Sequence, residues 1–126
     1  MSTQVAGVPG WMKGDVFDSK CPSRTILDHV TSKWAVLVLA ALQGGPLRFS
    51  ALRRTIGGVS EKMLAQTLRT LESDGFLDRD VAPTTPPQVT YSLTVLGVEL
   101  AERVTGLVEW IAVRVGDIET GRALRS

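Results

Sequence analysis

A mainly α fold with a small β-hairpin is predicted by three features of the segment from Pro46 to Thr94. A short amphipathic helix over Phe49 to Ile56, a Gly57-Gly58 turn and a longer helix opened by Ser60 follow one another directly. A strand-sized run, Leu77 to Val81, comes next, then a proline-rich loop and a second run, Gln88 to Leu93. Helix, turn, helix and hairpin in that order make a winged helix-turn-helix, which sets one helix into a groove of DNA. The residues therefore point to a surface that reads nucleic acid, not to a catalytic pocket.

The elements follow from local chemistry. Residues 1–20 hold Gly7, Pro9, Gly10 and Gly14 without sustained periodicity. They read as an arm, with Trp11 and Phe17 able to dock on a body or a partner. Cys21-Pro22-Ser23 opens a helix to about Val30, because proline at the first helical position forfeits no hydrogen bond. Trp34, Leu37, Val38, Ala41 and Leu42 have the spacing of a buried helical stripe, and Gly44-Gly45-Pro46 ends that helix. Phe49, Leu52 and Ile56 form the inner stripe of the next helix and leave Arg53 and Arg54 outside.

In the helix after Ser60, Leu64, Leu68 and Leu71 fall within about 60° of one another. Lys62, Gln66, Arg69 and Ser73 lie on the opposite side, with Thr70 at the margin. Ser60 serves as N-cap, and Asp74-Gly75 ends the helix. Pro83, Pro86 and Pro87 prevent strand pairing in the loop and stiffen the wing. Val89, Tyr91 and Leu93 alternate with Gln88, Thr90 and Ser92, as in a half-buried strand. Thr94 caps a last helix to about Ile118, with Leu96, Leu100, Val104, Leu107, Ile111, Val115 and Ile118 three or four residues apart. Val108, Ala112 and Val113 widen that stripe until the helix middle is apolar almost all round. A terminal helix of that kind predicts a shared surface. The expected homodimer interface comprises Trp11, Phe17, Leu100, Val104, Leu107, Val108, Ile111 and Val115. The organisation expected is an arm (1–20), a winged helix-turn-helix domain with its dimerisation helix (21–118) and a tail (119–126).

Composition sets outer bounds. A 126-residue chain that is 44% hydrophobic fits one folded domain with a real core. The apolar run Ala35 to Leu42 is far short of the roughly 20 residues a membrane span needs. Lys13 is the first charged residue and no apolar stretch follows it, so no signal peptide is expected. A single cysteine allows no internal disulfide and fits a reducing compartment, so a cytoplasmic location is expected. The net charge of +1 is low for a nucleic-acid binder, but its distribution is not uniform. Residues 48–69 carry Arg48, Arg53, Arg54, Lys62 and Arg69 against Glu61 alone, whereas residues 70–126 carry five basic and nine acidic side chains. Positive charge is concentrated on the helix-turn-helix.

Several short patterns occur together: Cys21-Pro22, Lys33-Trp34, a Gly-Pro turn before Arg48-Phe49, Leu52-Arg53, Ser60 opening a helix, Leu68-x-x-Leu71-Glu72, Gly75 and Tyr91-x-Leu93-Thr94-x-x-Gly97. In this order, over residues 21 to about 111, the chain resembles the HxlR-type winged helix-turn-helix transcription regulators. The resemblance implies dimeric, cytoplasmic bacterial or archaeal regulators acting on inverted-repeat operators. Two departures stand out. The wing loop, Ala82 to Pro87, has no Lys or Arg, and the arm before Cys21 is unusually rich in glycine.

On this reading the helix from Ser60 enters the major groove of double-stranded DNA, with Lys62, Gln66, Thr67, Arg69 and Thr70 toward bases or phosphates. Gln66 suits adenine and Arg69 suits guanine, each in bidentate fashion. Arg48, Arg53 and Arg54 suit phosphates, and the wing's grip rests on Arg79, Thr84 and Thr85. Cys21, at a helix start between Lys20 and Arg24, is the candidate sensor of oxidants or electrophiles, and some HxlR-type regulators resemble it in this. Its bland alternative is a small residue that closes the helix start. A small apolar effector is a further partner the sequence allows. His29 has no companion at ligand spacing, so no metal is expected, nor any cofactor. No nucleophile–base pair or carboxylate dyad suggests an enzyme. The competing reading is a winged-helix module that binds another protein.

Overall fold

The computed structural model describes residues 16–126, and Trp11 and most of the expected arm lie outside them. The elements run α1 (Pro22–Val30), α2 (Lys33–Leu42), β1 (Leu47–Arg48), α3 (Phe49–Thr55), α4 (Glu61–Ser73), β2 (Leu77–Ala82), β3 (Gln88–Leu93) and α5 (Val95–Arg125). The hairpin of β2 and β3 is joined by β1 into an antiparallel sheet of order β1-β3-β2. The fold is thus the expected winged helix-turn-helix, with a third strand. β1 is too short for any periodicity to disclose. Its pairs Leu47–Tyr91 and Arg48–Thr90 form because Gly45, at φ +130°, turns the chain back onto β3.

Two helix ends show why the chain folds this way locally. The Ser60 hydroxyl oxygen accepts from the Met63 amide at 3.0 Å and so fixes the start of α4. At its other end, Gly75 (φ +85°) lets the Phe76 amide reach the Leu71 carbonyl at 2.9 Å, and the chain enters β2. The Thr94 hydroxyl donates to the Gly75 carbonyl at 2.7 Å and accepts from the Gly97 amide at 3.0 Å. One side chain therefore joins the end of α4 to the start of α5. Gly97 is buried against Phe76, whose carbonyl oxygen a Cβ there would strike.

The core is aliphatic: Val38, Leu39, Leu42, Leu52, Leu64, Leu68 and Leu71 are essentially sealed from solvent. α2 lies at its centre and packs against α1, α3, α4, α5 and β3. Its deepest residues include Ala35 and Leu39, which the expected stripe omitted, while Trp34, Leu37 and Ala41 are only partly buried. A helix apolar on every side has no single inner stripe, and its neighbours decide which residues go deepest. The last helix also departs from expectation. It continues to Arg125, so residues 119–125 extend α5 and are not a separate tail.

Candidate nucleic-acid interface

α4 carries the central surface of the site. Leu64, Leu68 and Leu71 anchor it to the core, and Lys62, Gln66 and Arg69 stand exposed on the other face. Thr70 is half-buried at the margin. Thr67 requires a correction. It is 8% exposed, and its hydroxyl donates to the Met63 carbonyl at 2.8 Å, so it belongs to the packed side of α4. The residue follows Gln66 by 100° of helical rotation, which carries it off the wet face.

Clefts flank the exposed row. Toward the α1–α2 corner, Asp28, His29 and Ser32 face Met63, Gln66 and Thr70 across about 210 Å³. At the α3–α4 corner, Phe49, Ser50, Arg53, Arg54 and Glu61 line an open hollow of about 380 Å³. Toward the sheet, Arg69 and Glu72 meet Arg79 and Tyr91. Arg79 thus lies beside α4 at the base of the wing, not at its tip. Arg48 is exposed on β1 opposite Thr90. In the wing loop, the Thr84 hydroxyl donates to the Pro86 carbonyl at 2.8 Å, and Thr85 is exposed.

Two polar pairs link elements across this surface. Arg53 Nη1 donates to Glu61 Oε2 at 3.1 Å, so one expected phosphate ligand is held by a carboxylate. His29 Nδ1 donates to Asp74 Oδ2 at 2.6 Å and ties the last turn of α1 to the C-cap of α4. The lone histidine thus sits at the core edge and holds two helices together. Neither pair has a helical spacing in the sequence. The α3–α4 turn brings Arg53 to Glu61, and the packing of α1 on α4 brings His29 to Asp74.

Cys21 is the N-cap of α1 and is half-buried, with no side-chain capping bond. Its amide donates to the Asp18 carbonyl at 3.0 Å, and neighbouring Arg24 reaches back to the Val16 carbonyl at 3.3 Å. The expected dimer set divides. Leu100 and Val104 are partly buried and pack against the protomer's own core. Val108 is half-buried, whereas Leu107, Ile111 and Val115 are 56%, 45% and 49% exposed. Trp110 is half exposed, with the Arg114 guanidinium 4.7 Å from its ring centre. Phe17 is exposed.

A helix-turn-helix with a three-stranded wing and a polar, cationic α4 face defines the class of helix-turn-helix transcription regulators. The chain belongs to the HxlR-like helix-turn-helix family, which matches residues 29–118. It is 55% identical over 106 residues to YtfH of Escherichia coli strain K12, an uncharacterised HTH-type transcriptional regulator, with 84% of each chain covered. The solved ytfH protein of Salmonella typhimurium shares 51% identity at a TM-score of 0.84, covering 86% of this chain and 97% of that one. The redox regulator HypR in its reduced form is similar at 33% identity and a TM-score of 0.71, covering 79% of this chain and 98% of that one. The chain is a transcription regulator of helix-turn-helix type, and its relatives form a non-enzymatic family. Among the described residues no single helix is long and apolar enough to cross a membrane.

Proposed function

We propose that this regulator binds double-stranded DNA sequence-specifically as a homodimer on an inverted-repeat operator, and that it represses from there. The observation that carries this is the exposed Lys62–Gln66–Arg69 row on α4, bordered by Arg53, Arg54 and Arg79. Lys62 and the flanking arginines take phosphates, while Gln66 and Arg69 reach base edges. Ser60 fixes the helix start, and Arg48, Thr84 and Thr85 add backbone contacts at the margins. The apolar face of α5 supports the dimer. Leu107, Ile111, Val115 and Ile118 together leave too much apolar surface exposed for an isolated protomer. Two-fold symmetry then places half-sites about one helical turn apart, roughly 10 base pairs centre to centre.

Cys21 serves as a redox or electrophile input to the cytoplasmic regulator. With one thiol per chain, oxidation joins two Cys21 sulfurs between subunits, or one to an external thiol. In either case two protons and two electrons pass to the oxidant. The similarity to HypR, named as a redox regulator, supports this input. Fluorescence anisotropy at fixed salt, on DNA upstream of the protein's own gene, tests the reading. The double variant Q66A/R69A should lose operator binding while remaining dimeric. Undiminished binding would remove α4 from the interface. The cation-free wing loop favours one second reading, a module docking on protein, which would stand if no duplex is bound even at low salt.

A further inference from the structure

The cleft at the α3–α4 corner places a carboxylate among the groups that would receive a phosphate. Ser50 comes from the first turn of α3, Arg53 and Arg54 from its last turn, and Glu61 from the start of α4. Two guanidinium groups and a hydroxyl around a space of about 380 Å³ form a donor set suited to a phosphodiester. The carboxylate of Glu61 already occupies one of those donors, accepting from Arg53 Nη1 at 3.1 Å. Among the described residues Arg54 has no ion-pair partner. A phosphate entering the cleft therefore meets one unpaired cation and one already held in an exposed ion pair.

We infer that Glu61 is an internal competitor for this phosphodiester site, a latch on Arg53 that lowers affinity for DNA of every sequence. The inference rests on the DNA-binding reading above. When Arg53 transfers from Glu61 to a phosphate, the released carboxylate takes up a cation, so the net release of counterions falls by about one. The effect is independent of base sequence. It restrains non-specific binding in absolute terms while the operator-to-random ratio stays with Gln66 and Arg69.

A double-mutant cycle on Arg53 and Glu61 tests the latch, using a promoter fragment and a scrambled duplex of the same composition. E61Q keeps the side-chain shape and removes the charge. It should tighten binding to both duplexes by about eightfold near 0.1 M salt, with the log–log salt slope steeper by about one. R53A should weaken binding little in the wild-type background and by about eightfold in the E61Q background, because only there is Arg53 unpaired before binding. Additive effects would overturn the latch and leave Glu61 as simple repulsion, and an unchanged E61Q would overturn it as well. If the wild type binds neither duplex at low salt, the DNA-binding reading falls with it.

Discussion

At the scale of single residues, what a side chain faces decides its part. Gln66 and Arg69 are exposed on α4 and flank a cleft each, so alanine at either should weaken operator binding by about 1–3 kcal/mol. The scrambled duplex should be affected much less. Lys62→Ala should instead weaken both duplexes alike and make the salt slope shallower by about one. Equal losses on both duplexes for Gln66→Ala would show that Gln66 reads no base. Thr67 provides the converse case. Its hydroxyl is turned back to Met63, so Thr67→Val should leave the operator-to-scrambled ratio unchanged. Gly97 has no ligand to meet, yet it tolerates no substitution in this packing. Alanine there drives a methyl into the Phe76 carbonyl and should cost about 1–3 kcal/mol or more, read by urea unfolding at fixed protomer concentration.

At the scale of elements, legibility followed the strength of local signals. α4 and the hairpin were readable because Ser60, Gly75 and the alternation from Val89 to Leu93 are local devices that act before any packing. β1 was not, because two residues carry no period and its pairing is dictated by the partner strand. The surroundings of α2 decided its buried face, which the apolar sequence could not. The cationic face of α4 was legible residue by residue apart from Thr67, whereas the Arg53–Glu61 pair depends on the α3–α4 turn and the His29–Asp74 pair on the packing of α1 against α4, and neither was. α5 shows the same division: its apolar spacing was plain, but which part serves the protomer emerges only from its packing on the core, where Leu100 and Val104 are partly buried. The proposed dimer seam is accordingly the outer half. Ile111→Asp, placed there, should convert dimer to monomer in sedimentation equilibrium while the helical circular dichroism of the protomer persists. A dimer that survives the buried charge would move the seam elsewhere.

At the scale of the whole molecule, the proposed sensor and the proposed reading surface stand at opposite ends of one mechanical connection. Cys21 starts α1, and α1 packs on α2 and α4. Its last turn is fastened to the end of α4 by the His29–Asp74 bond. α1 is nine residues long and buries only Val30 fully, so its apolar anchorage is small and the bond adds a polar tie to α4. On the proposed sensor role, a covalent change at Cys21 that displaced α1 would reach α4 through the His29–Asp74 bond as well as through direct packing. A ligand or modification shifts an equilibrium only by its differential interaction with the two states, and this bond is where such a difference can arise. In His29→Ala, Cys21 should still be oxidised, as mass spectrometry of the thiol would show, but the ratio of reduced to oxidised DNA affinity should fall toward one. Cys21→Ser should abolish the response by a different route, leaving nothing to oxidise. If His29→Ala responds to oxidant as the wild type does, the connection runs instead through the α1–α2 packing or through the partner subunit. Swapping Leu27 or Ile26, the exposed apolar residues of α1, for polar ones would then identify which.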